Sequence, residues 1–290
     1  MCMLSSDVAL DAKDTQILVY HTDAGNAQVT VYQNAFKTPD VRAFERAPPS
    51  AMILPVPLGD NDGADAIELI DLSDNPEFFT KLSELKWIDP AATRSFSYDD
   101  LCWHGGPLPT IVFGAYTCSI AATAQQLERI SDTFKITDAV RCAVQENYHT
   151  NFGFIVAQFD SANLKEPHAL AYRHPIVHDV DDPKAPPQGR LFIPMRHVHG
   201  NAIVMPIEEF DHNVYVFQHV IESPFYAPPA RYCPTPHYLP ADEVRSVLPA
   251  ALLSDATKPS VPTAGTKCFR FELTGRHPNQ DGTTRCIDAQ

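Results

Sequence analysis

Two stretches, TQILVY (Thr15–Tyr20) and AQVTVYQN (Ala27–Asn34), decide how the chain is read. Both are short and rich in β-branched and aromatic residues, and Asp23–Asn26 between them is a run of turn formers. The pattern predicts an antiparallel hairpin. Working outward, AMILPV (Ala51–Val56), NFGFIVAQF (Asn151–Phe159), HALAYRHP (His168–Pro175) and KCFRFEL (Lys267–Leu273) repeat the signature and predict further strands. Pro55 lacks an N–H, which predicts an edge or bulge position for its strand. TIVFGAYTCSI (Thr110–Ile120) reads as one buried strand after the Gly105-Gly106-Pro107 turn.

Helices are signalled between these strands. Asn75-Pro76 makes an N-cap and first-turn pair, and Phe79, Leu82 and Leu85 follow at helical spacing toward Trp87. Thr123 with Gln126 fits a capping box ahead of Leu127 and Ile130, and Thr137 precedes Val140, Val144 and Tyr148. A short helix is expected at Ala241 to Leu248. The fold class is therefore α+β, a mainly antiparallel sheet covered by a few helices. Residues 1–220 form the main domain. Residues 221–290 form a proline-rich extension that wraps and packs on it rather than folding alone, since Phe225, Tyr226, Tyr232 and Tyr238 supply packing surface. The polar tail after Thr274 is expected to be loosely held.

At 290 residues, with 36 acidic against 22 basic side chains, the formal charge is -14. That balance excludes a general nucleic-acid binder, which needs a basic face for phosphates. No apolar run is long enough to span a bilayer, and the start MCMLSSDVALDAKD lacks a secretory pattern, so no membrane insertion and a cytoplasmic location are expected. The seven cysteines form no CxxC pair. Cys118 and Cys142 read as apolar filling, and Cys268 with Cys286 could close the tail only in an oxidising compartment. Cys102 and His104 are adjacent in a glycine-rich turn, which is the simpler account of them.

Site chemistry concentrates in RLFIPMRHVHGNAIVMPIEEFDHNVYVFQH (Arg190–His219), which holds His197, His199, His212 and His219. In extended backbone His197 and His199 leave one face of a strand. With His212 and His219 they offer enough imidazoles for a divalent transition metal such as zinc, iron or copper. Asp211 could orient an imidazole, and Glu208 or Glu209 could move a proton in metal-assisted oxidation or hydrolysis. Isolated histidines are as readily core or rim residues, which leaves a noncatalytic binding or scaffold protein open, with a peptide or small molecule as partner. Cys2 opens a third possibility: removal of Met1 would join a thiol to an α-amino base, as in N-terminal-nucleophile amidohydrolases. No glycine-rich phosphate loop favours a nucleotide enzyme.

The order of VTVYQN (Val29–Asn34), AMILPVP (Ala51–Pro57), the helix with Phe79 and Leu82, NFGFIVAQF, HALAYRHP and RLFIPMRH resembles a bacterial family of uncharacterised, often exported proteins, the domain of unknown function DUF2330. The resemblance covers about the first two thirds of the chain. It implies one shared fold and transfers no activity or catalytic residue.

Overall fold

The computed structural model describes residues 2–22, 27–58, 63–88, 110–113, 116–130, 132–134, 136–148, 151–160, 168–176, 190–198, 204–218, 236–255, 258–259 and 266–285. The Asp23–Asn26 turn, Cys102, His104, Cys286, His199 and His219 lie outside them. In chain order the strands are β1 (Cys2–Ser5), β2 (Asp11–His21), β3 (Ala27–Lys37), β4 (Ser50–Pro57), β5 (Glu68–Ile70), β6 (Thr110–Phe113), β7 (Tyr116–Ala121), β8 (Phe152–Phe159) and β9 (Leu170–Pro175). They continue as β10 (Arg190–Ile193), β11 (His197–Val198), β12 (Ile207–Gln218), β13 (His237–Pro240), β14 (Ser254–Asp255), β15 (Lys258–Pro259), β16 (Lys267–Pro278) and β17 (Gly282–Arg285). The α-helices are α1 (Val41–Phe44), α2 (Phe78–Ser83), α3 (Asp138–Asn147), α4 (Ala241–Arg245) and α5 (Ala250–Leu253).

The fold is α+β and dominated by antiparallel sheet, with a few short helices over the sheets. One sheet has six strands in the order β11-β1-β4-β8-β7-β6, a second has seven in the order β13-β16-β12-β2-β3-β9-β5, and β10-β17 and β14-β15 form two-stranded sheets. Strand alternation sends neighbouring residues to opposite faces and so sorts them into separate cores. Ile17 and Val19 of β2 meet Leu54, Ile155 and Ala157 of the six-stranded sheet in a core between the sheets. Leu18 and Tyr20 point the other way, beneath Phe78, Phe79 and Leu82 of α2 and Val244 of α4. On the far side of the six-stranded sheet, Met3, Ile53, Phe154 and Val156 are covered by Leu127, Val140 and Val144. Two sheets thus pack face to face, each with helices on its outer side. Among the described residues no helix is long and apolar enough to cross a membrane.

Several expectations shift in detail. Pro55 sits on β4, an interior strand between β1 and β8. The pairing of β4 with β1 stops at Ile53, so the proline's missing N–H costs no described ladder bond on that side. TIVFGAYTCSI is two strands, β6 and β7, with Thr110 paired to Ser119. Only β7 is buried, while Ile111 and Val112 of β6 stand exposed. The helix expected from Asn75 begins at Phe78 instead, because the Asn75 carbonyl accepts from the Phe78 N–H in a preceding turn. Thr123 caps as expected, its hydroxyl accepting from the Gln126 N–H at 3.3 Å, but over a 3-10 turn, Ala124–Arg129, rather than an α-helix. Thr137 caps α3.

From Thr274 to Arg285 the segment is not loose. Strand β16 pairs with β12 from Lys267 to Pro278, and β17 pairs with β10. Polar side chains hold this segment where hydrophobic pattern gave no signal.

Candidate functional site

Each of the two sheets contributes one histidine to a buried pair. His197 opens β11, an edge strand lying parallel to β1, and the register sets Cys2 against His197 and Met3 against Val198. Met3 and Val198 belong to the outer core, so alternation turns His197 inward. His212 lies inside the seven-stranded sheet, opposite Thr15 on β2 and Leu273 on β16. Its neighbours on the same face, Phe210 and Val214, belong to the core between the sheets. The imidazoles meet there, Nε2 to Nε2 at 2.8 Å.

That contact fixes the chemistry of the pair. One ring donates its Nε2–H and the other accepts, so the two rings carry opposite tautomers. His197 is 4% exposed and His212 1%, and Phe210 closes the pair with its ring centroid 5.0 Å from His197 and 4.8 Å from His212. Asp211 places Oδ1 3.7 Å from His212 Nδ1, while its Oδ2 accepts from the Asp14 N–H at 3.0 Å. Asp14 has φ 52° and lies within the register break between Lys13 and Gln16, so Asp211 steadies a left-handed residue in β2. Burial pushes the Asp211 carboxyl up, but the neighbouring His212 ring, the Asp14 N–H and the Lys13 charge outweigh it and hold the group below its ordinary value.

Of the residues picked out by sequence, His197, His212 and Asp211 come together, and the backbone of Cys2 pairs in register with His197. Glu208 and Glu209 do not join them: Glu208 pairs with His277 and Glu209 with Arg276 farther along β12, and Phe210 stands between Glu208 and His212. Glu209 is exposed. Among the described residues no three of His, Cys, Asp and Glu are grouped to hold a metal ion.

Sequence reading passed over the residues that position His197. The Asn279 side chain acts as a piece of strand: its Oδ1 accepts from the His197 N–H at 2.6 Å, and its Nδ2 donates to the His197 carbonyl at 2.8 Å. Asp281 Oδ1 accepts from the N–H groups of Met195 and Arg196, both at 3.0 Å, and Oδ2 accepts from the Tyr148 hydroxyl. The Arg196 guanidinium lies 5.4 Å from the Tyr148 ring centre and donates to Asn147 Oδ1 at 2.9 Å. Burial raises the Asp281 carboxyl, yet opposing influences, among them the Arg196 charge, the Tyr148 hydroxyl and the Arg196 N–H, keep it below its ordinary value. Burial, reinforced by the Asp281 charge, holds the Tyr148 phenol protonated far above its usual range, so it remains a donor. The signal for this clamp is the run Asn279-Gln280-Asp281-Gly282, whose Asn and Asp side chains readily bond to backbone.

No family model matches the chain, and no curated protein matches it. Among solved structures, it is similar to two crystal structures of a mutated baculovirus P35 after caspase cleavage. The 3.1 Å structure is 10% identical with a TM-score of 0.44, covering 96% of this chain and 98% of that one. The 2.7 Å structure is 8% identical with a TM-score of 0.45, covering 95% and 100% respectively. At these scores the likeness carries no weight for function.

Proposed function

We propose that this chain is a noncatalytic binding protein that takes an extended segment of a partner protein onto the outer edge at β6. The observation that carries this reading is the exposure of that edge. Strand β6 ends the six-stranded sheet and is paired only through β7 among the described residues. Val112 is 77% and Ile111 44% exposed. Solvent-facing edge strands are usually blunted by lysine, proline or a bulge, because their unpaired N–H and C=O groups template another strand. Thr110, Ile111, Val112 and Phe113 include no charge and no proline.

Strand addition draws affinity from main-chain bonds and selectivity from alternate side chains. The net charge of -14 favours a basic segment, by speeding its encounter more than by tightening its hold. The histidine pair fits the same reading, since a closed imidazole contact between sheets fastens a scaffold. The test is selection of extended peptides from a random display library, followed by amide protection and affinity measurements. Peptides should protect β6 amides, and Val112→Lys should weaken them at least about tenfold, or ~1.4 kcal/mol, while shifting stability by no more than about 0.5 kcal/mol. Protection elsewhere, or unchanged affinity in Val112→Lys, overturns the reading.

A second reading is supported by the register of Cys2 against His197. After removal of Met1, a Cys2 thiol with its α-amino group, on the strand that pairs with His197, would suit nucleophilic attack on an amide. It expects an intact mass lacking Met1 and amide turnover that Cys2→Ser abolishes. Retained Met1 with unchanged turnover rejects it.

A further inference from the structure

A second histidine row lies away from the His197–His212 pair. Across β2, β3 and β9 the register aligns His21 with Gln28 and Gln28 with His174, so all three share one face at one end of the seven-stranded sheet. Gln28 in the middle is a clamp. Its Oε1 accepts from the Phe192 N–H at 2.8 Å and its Nε2 donates to the Phe192 carbonyl at 2.6 Å, which fastens β10 to this sheet. Strand β10 in turn carries β17, through pairs such as Phe192 with Thr283.

The flanking imidazoles are unusual in what they lack. His174 Nδ1 lies 2.7 Å from the Pro175 carbonyl, so it is the donor and leaves Nε2 as a bare acceptor. Nε2 of His174 and Nε2 of His21 are both buried without a hydrogen-bond partner among the described residues. Each is the atom a proton would join; the Pro57 carbonyl favours that proton on His174, whereas His21 has no such carbonyl among the described residues. Two imidazoles are also fewer than the three or four donors a resident zinc ion takes.

Among the described residues the surroundings offer little to steady a positive charge. Tyr172 on β9 lies 5.9 Å from the His174 ring, ring centre to ring centre, and burial keeps its phenol neutral. Carbonyls of Pro57 on β4 and Pro175 favour a His174 cation, but burial dominates. Arg173 alternates to the other face, where it pairs with Glu68 at 3.8 Å. Asp281 acts on Tyr172 rather than on either imidazole. The charge that His21 meets is that of His174.

We propose that His21, Gln28 and His174 form an acid-sensitive latch, in which protonation of the flanking imidazoles opens the Gln28 clamp and releases β10 with β17 from the seven-stranded sheet. Burial lowers both histidines to about 4, with His174 adding to the effect on His21. An opened end binds its protons at the ordinary value near 6.5. Between those values the open form holds more protons than the closed form, so falling pH favours opening. The closed latch is therefore fully stable above about pH 6.5 and loses hold as pH falls toward 4, by roughly tenfold per pH unit for each histidine.

Two-dimensional NMR of the full chain tests this by following the Phe192 and Thr283 amides and the histidine ring protons from pH 7.5 to 4. The native Phe192 and Thr283 signals should disappear below about pH 5.5 while Ile155 in the other sheet keeps its signal. His21→Gln, which leaves one titrating imidazole, should halve the pH slope of that loss, and His21→Gln with His174→Gln should abolish it. If the double variant does not fold, the single variant's slope decides. Loss at the same pH and slope in His21→Gln, or both rings titrating near 6.5 with β10 still docked, overturns the proposal.

Discussion

Asp281→Ala is expected to destabilise the protein by about 3–5 kcal/mol, read as a lower midpoint in urea at pH 7 with an unchanged slope. One carboxylate there serves three donors, the N–H groups of Met195 and Arg196 and the Tyr148 hydroxyl. Alanine leaves all three without their acceptor, and each buried orphan costs roughly 1–3 kcal/mol. The loss also propagates, because Met195 and Arg196 lead directly into His197, whose backbone Asn279 holds from the same turn. Asp281→Asn retains the shape but turns an amide group toward a donor, so it should recover only part of the loss. A pH series separates this carboxylate from others. Its value is lowered in the folded protein, so the unfolded state takes the proton first and the Asp281 contribution is present above the ordinary aspartate value of about 4. It fades as pH drops below that, and the Asp281→Ala curve should lack the corresponding fall. A cost under about 1 kcal/mol would show that water replaces the carboxylate and that the turn does not hold β11.

The strands were legible because one physical rule, alternation, writes itself into neighbouring residues. Ile17-Leu18-Val19-Tyr20 is apolar throughout, which fits a strand with cores on both faces, and its residues do divide between two cores. What did not show was pairing across long separations. Strand β1 is four residues long, and its parallel partner β11 starts nearly two hundred residues later, so the meeting of Cys2 with His197 has no local signature. The histidine pair was half legible. Period-two reasoning puts His197 and His199 on one face, whereas the contact actually described is from His197 to His212, across two sheets. Asn279 and Asp281 were hidden for a different reason: an Asn-Gln-Asp-Gly run reads as turn, and turn residues advertise backbone bonding without naming the backbone they will hold. His21 and His174 were invisible as a pair because Gln28, the residue between them, belongs to a third strand.

Phe159→Ala should cost about 3–5 kcal/mol, comparable with the loss at Asp281 but by an apolar route. Phe159 ends β8, is 2% exposed, and stacks on Phe36 of β3 with ring centres 4.2 Å apart and an interplanar angle of 9°. Phe44 of α1 approaches the same ring at 6.5 Å. The stack therefore bridges the two sheets and anchors the short helix that follows β3. Removing the ring forfeits its transfer energy and leaves a cavity between layers whose strands are each held by ladders and cannot close freely. Phe159→Leu keeps most of the volume and should cost less than the alanine change, by roughly 2 kcal/mol. A double-mutant cycle with Phe36→Ala should return a coupling of about 0.5–1.5 kcal/mol, the part due to ring on ring rather than to area. Because the interaction is uncharged, the loss should be the same at pH 7 and pH 5, in contrast to the histidine latch. An Ala variant that loses under about 1 kcal/mol, or a coupling near zero, would mean that the sheets are joined elsewhere, and the next place to look would be the imidazole contact between His197 and His212.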